Sequence, residues 1–218
     1  MQGFVLSRHS QDTDQGVCLT YWLASDIGPV CLRQTQQESV CFLPLSQQSH
    51  AQKLIQSMGL ASSTWRFQAV DLKTFQQTPA VALYISNNKV FQQVSDHLRK
   101  SNINLMEQDI QPQERYLMER FITGPMSIEG DTVERNGFRE FTNPRVKSSE
   151  YVPRYKVLSL DIETSLTGDH LYSIALLTNH TAEQEGCVQQ RVFMLADTSI
   201  DNAPEYLVTC HSERELMI

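Results

Sequence analysis

The sequence is short of positive charge, of paired cysteines and of long apolar runs. Lys and Arg number 18 against 25 Asp and Glu, a formal net charge of −7. That balance excludes a protein that holds nucleic acid by its overall charge, because phosphate contacts are made by Lys and Arg. It leaves open a local groove, or binding by another part of a longer protein. The five cysteines (Cys18, Cys31, Cys41, Cys187, Cys210) are scattered and include no Cys-x-x-Cys pair. Such a set predicts buried thiols in a reducing, cytoplasmic compartment and argues against disulfides and a structural zinc site. No apolar run approaches the ~20 residues of a membrane helix. Met1-Gln2-Gly3-Phe4 lacks the basic-then-apolar pattern of a secretory signal, so no membrane partner is expected. What remains, 40% hydrophobic and 20% charged residues over 218 positions, suits two modest globular domains.

The order of elements predicts an α+β fold. Short apolar runs at 3–8, 17–24 and 30–33 read as strands, with a polar loop over 10–16 and a turn at Gly28-Pro29. From residue 39 a longer pattern begins. Residues 39–43 read as a strand, and 46–58 as a helix with Ala51, Leu54, Ile55 and Met58 at i, i+3, i+4, i+7, stopped by Gly59. Strands follow at 65–72 and 80–85. A helix capped by Asn87 or Asn88 carries Val90, Phe91, Val94 and Leu98, and a short strand is expected at 103–106. This β-α-β-β-α-β order is the split βαβ arrangement of ferredoxin-like and RNA-recognition-motif domains. Pro112 opens a third helix, ended by Gly124-Pro125, and Gly130-Asp131 suggests a hairpin between 126–129 and 132–135. Residues 143–153 are polar and aperiodic, so domains are expected at 1–150 and 151–218.

The second domain opens with the stretch richest in chemistry. Lys156-Val157-Leu158-Ser159-Leu160 reads as a buried strand that ends in Asp161-Ile162-Glu163-Thr164. Residues two apart in a strand share a face, so Asp161 and Glu163 project side by side, about 6–7 Å apart along the backbone. Two carboxylates so placed can grip a hard divalent cation such as magnesium or manganese. Two metals about 4 Å apart are what phosphodiester hydrolysis uses to activate water and stabilise the leaving oxygen, and such sites need more than two carboxylates. The plainer reading of an isolated Asp-x-Glu is two ordinary acids at a strand end. Further strands at 171–178 and 188–195, joined by short loops, predict an antiparallel meander. Ser212 and Glu215 form a capping-box pattern, and the apolar stop Leu216-Met217-Ile218 reads as a cut.

Other candidates are weaker. Asp197 and Asp201 are potential extra ligands in what reads as a turn. The six histidines show no ligand spacing. Tyr84 and Phe67 suit base stacking or core packing, and Arg8, Arg66, Arg115 and Arg120 suit phosphates, though sequence cannot place them on one face.

Two segments carry a family resemblance. Residues 157–164 (Val-Leu-Ser-Leu-Asp-Ile-Glu-Thr) resemble the first exonuclease motif of family B DNA polymerases. Residues 109–122, continuing to Ile128-Glu129-Gly130, resemble the segment that closes the N-terminal domain of the same family. The match includes the opening Gly3-Phe4-Val5-Leu6-Ser7-Arg8-His9 and is strongest to a bacterial branch.

The resemblance implies a template-contacting N-terminal domain followed by a 3′–5′ exonuclease of RNase H-like fold that opens with a three-stranded meander. Asp161 would bind both metals and Glu163 one of them. The implied partners are template and primer DNA, with a sliding clamp reached through a part beyond this chain. The second and third exonuclease motifs do not occur between Thr164 and Ile218, nor do the polymerase aspartates. The chain is therefore expected to be the N-terminal piece of a longer polymerase, inactive by itself. Two rivals are a stand-alone single-strand-binding module without catalysis, and a small nuclease completed by dimerisation through Asp197 or Asp201.

Overall fold

The computed structural model describes residues 1–155, 157–180, 185–198 and 202–217, with the backbone alone at 179–180 and 185–188. The chain divides into two compact units, Met1–Pro153 and Arg154–Ile218. It is a mixed α+β protein in which strands dominate.

The first unit begins with three strands, β1 (Gln2–Thr13), β2 (Gly16–Ala24) and β3 (Val30–Gln37). The polar loop expected at 10–16 is instead continuous strand to Thr13, paired residue for residue with β2. Ser10, Gln11 and Asp12 are polar because this stretch is half-buried or exposed, and pairing with the β2 backbone keeps it a strand. The β1–β2 turn closes on Gly16, whose φ is +119°. A Cβ there would lie 3.0 Å from the Gln37 carbonyl oxygen, so only glycine fits.

The chain then leaves this sheet. β4 (Ser39–Pro44), a 3-10 turn at Leu45–Gln47, α1 (Gln48–Ser57), β5 (Trp65–Lys73), β6 (Pro79–Ile85) and α2 (Asn88–Lys100) build a separate antiparallel sheet in the order β4-β6-β5. The strand expected at 103–106 is reduced to a single antiparallel bridge, Phe42 to Met106, on the outer side of β4. One face of this sheet packs on both helices around Cys41, Leu43, Ile55, Leu83, Phe91 and Leu98, all buried. Asn87 caps α2, its side-chain oxygen accepting from the Val90 N–H at 2.9 Å. Asp12 of β1 reaches the same helix end, accepting from the N–H groups of Asn88 at 2.6 Å and Lys89 at 3.0 Å. A carboxylate there satisfies two orphan donors and faces the positive end of the helix dipole.

The return to the first sheet runs through α3 (Pro112–Met118), β7 (Pro125–Glu129), β8 (Thr132–Arg135), β9 (Phe138–Thr142) and β10 (Arg145–Ser148). The sheet order is β10-β7-β1-β2-β3-β9-β8. The hairpin expected across Gly130-Asp131 does not form: β7 pairs with β1 and β10, and β8 pairs with β9. The tight turn lies instead at Asn136-Gly137, where Gly137 takes φ +85°. Val17, Leu19, Tyr21 and Leu23 of β2 join Val30 and Leu32 of β3 and Tyr116 and Leu117 of α3 in one buried cluster. The Tyr21 hydroxyl donates to the Gln113 carbonyl at 2.8 Å, and burial raises its pKa far above the usual phenol range.

The second unit holds β11 (Leu158–Thr164), β12 (Leu171–His180), β13 (Glu185–Leu195), β14 (Leu207–Cys210) and the short α4 (Glu213–Leu216). The expected meander is present: β11 pairs antiparallel with β12, and β12 with β13. β14, unforeseen, adds parallel to β13. Ser212 accepts from the Glu215 N–H at 3.3 Å, and the Glu215 carboxylate accepts from the His211 N–H at 2.6 Å. Part of the 179–186 loop, Lys156 and Ile218 lie outside the described residues.

Two outcomes follow for stability. Asp12→Ala should cost about 1–2 kcal/mol, the scale of losing a charged helix cap, read as a lower urea midpoint at unchanged m-value. Burial pushes the Cys41 thiol up to about 12 from 9.0, so the folded protein keeps that proton where the unfolded chain releases it. This contribution is complete below pH 9 and is lost as pH rises from 9 toward 12. Cys41 should resist a disulfide-exchange reagent at pH 8 until urea unfolds the protein, and Cys41→Val should lessen the loss of stability between pH 9 and 10.5.

Candidate functional site

β11 is an edge strand with one neighbour, in the order β11-β12-β13-β14. Its register sets Asp161 opposite Ala175 and Glu163 opposite Ser173, so the two acids stand on one face, one step of the two-residue period apart. The Asp161 carboxylate accepts from the Ile162 N–H at 3.1 Å. A register irregularity between Glu163 and Thr164 ends the regular ladder just past the pair.

The expectation of a buried strand is corrected here. Leu158, Leu160 and Ile162 are 59%, 61% and 51% exposed, and both acids are exposed as well. An apolar run becomes buried only when a layer covers each face. Among the described residues of this unit, nothing covers β11. The carboxylates therefore need no cation to offset burial.

The neighbouring acids are committed elsewhere. Asp169, in the β11–β12 turn, accepts from the hydroxyls of Ser165 and Thr167, and these bonds hold its carboxyl below the usual range. Glu213 accepts from the Leu171 N–H at 3.3 Å and lies 3.1 Å from His170 Nδ1, tying α4 to the start of β12. Asp197 is exposed just past β13, and Asp201 lies outside the described residues. Among the described residues, no group of three or more His, Cys, Asp or Glu side chains could hold a metal ion. The pair thus fits two donors of a hard cation's six or more oxygens. The described residues do not complete the shell.

The candidates of the first unit are mostly engaged within it. Phe67 packs against the helix-covered core, edge-on to Trp65 at 5.9 Å. Tyr84 lies beneath the Arg66 guanidinium at 4.1 Å, and Arg66 pairs with Glu38 at 2.6 Å. Arg8 pairs with Glu114, and Arg115 with Glu107 at 2.8 Å. Arg120 stacks on Tyr116 at 3.6 Å. Stacking on Tyr84 and phosphate contacts by these four arginines are therefore disfavoured. No sequence pattern reveals such pairings, because the partners are brought together by the fold.

Of the cysteines, Cys18, Cys31, Cys41 and Cys210 are free thiols, all buried. Among the described residues no helix is long and apolar enough to cross a membrane.

Comparison with known proteins follows the same division of the chain. Residues 3–38 match the family model described as DNA polymerase II, N-terminal, and residues 39–103 match DNA polymerase II, insertion domain. The boundary falls where the chain leaves β3 for the separate β4-β6-β5 sheet. DNA polymerase II of Escherichia coli (strain K12) is 38% identical over 213 residues, covering 95% of this chain and 25% of the relative. The family B DNA polymerase of the hyperthermophilic archaeon Pyrobaculum calidifontis superposes with a TM-score of 0.64 at 14% identity, over 90% of this chain and 27% of that one. The chain thus spans about a quarter of the length of the curated relative it matches. Two family models meeting end to end, with 38% identity along nearly the whole chain, make it homologous to the N-terminal region of DNA polymerase II, a family B DNA polymerase.

Proposed function

We propose that this chain is the N-terminal portion of a DNA-directed DNA polymerase with 3′–5′ proofreading exonuclease, acting in replication or repair. Residues 1–150 form its template-contacting domain, in which 39–103 is a split βαβ unit of ferredoxin-like type. Residues 151–218 open an RNase H-like exonuclease. The observation that carries the reading is the placement of the family's acidic motif: Asp161 and Glu163 share a face on the first strand of an antiparallel meander.

Family B polymerases use divalent metals, and magnesium or manganese held at this pair would polarise water and the scissile phosphate. Asp161 and Glu163 would each give carboxylate oxygens to that ion, and the remaining donors would come from residues beyond this chain. Their exposure supports such sharing, because the carboxylates are accessible to further ligands. The chain's own residues orient the two acids by strand pairing and leave one face open to a substrate strand. No hydrolytic step is assigned to the chain by itself. Partners of the whole protein are template and primer DNA, with any sliding clamp contacted through other parts.

Purified chain should not shorten a 5′-labelled single strand in magnesium above the level of its Asp161→Ala variant. Asp161-dependent shortening would overturn the shared-site reading. In a full-length polymerase bearing this segment, Asp161→Ala or Glu163→Ala should lower 3′–5′ digestion more than ~100-fold, beyond the cost of disturbing a group behind a ligand, while primer extension persists. Manganese titrated calorimetrically into the chain should bind no tighter than about millimolar, and a micromolar dissociation constant would reveal a complete cage.

A further inference from the structure

The two faces of the seven-stranded sheet differ. The inner face carries the buried cluster under α3. The outer face carries what the two-residue period leaves over, and its chemistry is not that of an inert surface.

One row of outer residues runs straight across four strands. His9 of β1 pairs with Thr20 of β2, Thr20 with Arg33 of β3, and Arg33 with Thr142 of β9. In the adjoining row Trp22 lies opposite Cys31, diagonal to Arg33, within reach of long side chains. Trp22 is 39% exposed although it belongs to a central strand, and it meets Phe138 edge-to-face at 4.9 Å. That contact fixes the indole on the sheet.

Arg33 is exposed, and no ion pair or side-chain hydrogen bond engages its guanidinium among the described residues. This sets it apart from Arg8, Arg66, Arg115, Arg135 and Arg139, each held by a glutamate. It lines an open concavity of about 390 Å³ with Thr35, Thr142 and the β1–β2 turn residues Thr13, Asp14 and Gln15. The acid nearest in the Trp22 row, Glu140, is paired with Arg135 at 3.4 Å. Asp14 is the one acid on the rim of the concavity.

We propose that this outer face binds single-stranded DNA, with a phosphate against Arg33 in the concavity and a neighbouring base stacked on Trp22. A fixed aromatic plane beside an unpaired guanidinium in an open groove is the pairing that single-strand binders use without sequence readout. The choice of DNA rests on the polymerase reading above, whereas the platform itself rests on the sheet. An apolar protein partner would use Trp22 and Phe138 but would leave Arg33 unpaired, which disfavours that occupant.

The test uses the 218-residue chain. Trp22 and Trp65 are its two tryptophans, so Trp65→Phe leaves Trp22 as sole reporter. Titration with a twelve-nucleotide oligodeoxythymidylate at low salt should quench Trp22 fluorescence saturably. Arg33→Glu should weaken binding about tenfold and flatten the salt dependence by about one counterion. Trp22→Ala, followed by anisotropy of a labelled oligonucleotide, should weaken it by a similar factor. Trp22→Phe should retain most of the affinity, which guards against a folding defect in the alanine variant. Binding unaffected by either substitution would overturn the platform and leave the polymerase reading intact. Absence of any saturable quench would overturn the platform also; the polymerase reading is judged separately by Asp161→Ala in a full-length enzyme. Tighter binding of an oligouridylate than of the oligodeoxythymidylate would keep the platform and overturn the choice of DNA.

Discussion

The first unit is organised by the two-residue period of β2 and β3. Val17, Leu19, Tyr21 and Leu23 must enter one core, and nothing else about β2 is then free. Cys18, Thr20 and Trp22 are forced to the opposite face, and a slip of one residue would exchange the sets. Buried aliphatic and aromatic side chains contribute about 1.5–3 kcal/mol each, so four of them in one strand hold its register firmly. The position of Arg33 beside Trp22 follows from this packing, because β3 must match β2 with Val30 and Leu32 inward. The tie from Asp12 to the start of α2 then fixes the β4–α2 segment to the long β1–β2 ribbon.

Elements with an internal signal were legible in the sequence. α2 shows its apolar face in Phe91, Val94 and Leu98 and its cap in Asn87, and the fold confirms each. The elements that depart from the sequence pattern are those whose stability lies in a distant partner. β1 continues through Ser10, Gln11 and Asp12 because β2 is there to pair with it, not because those residues favour strand. The 126–135 segment looks like a hairpin locally, yet β7 and β8 are separated by four strands of the seven-stranded sheet. Gly130 at φ +157° does not make a tight turn, whereas the Asn136-Gly137 dipeptide does, with the residue pair that two-residue hairpin loops favour.

The site shows the same division. That Asp161 and Glu163 share a face follows from strand periodicity, and β11 obeys it. That the strand is open follows from which layers cover it, and no local pattern encodes that. Leu158, Leu160 and Ile162 have the composition of a core strand without being in a core. The arginines make the complementary point: composition counted them as available cations, whereas most are consumed in pairs such as Arg66 with Glu38 and Arg115 with Glu107. A net charge of −7 therefore says little about whether one unpaired guanidinium meets a phosphate.

An open apolar edge strand carries a physical hazard, since its unpaired backbone groups and exposed side chains invite a second strand. The two acids bear on this directly. A second β11 laid antiparallel about the middle of the strand would bring carboxylates of the two copies near one another. Like charges across a pair are destabilising. The irregularity at Glu163/Thr164 further spoils the ladder at that end. Thus the feature that suits Asp161 and Glu163 to sharing a cation, two uncompensated charges on an accessible strand, also opposes edge-to-edge pairing when no cation is present. On the proposed reading a divalent ion held by the pair would cancel that opposition as it bound, so the same two charges would serve both ends.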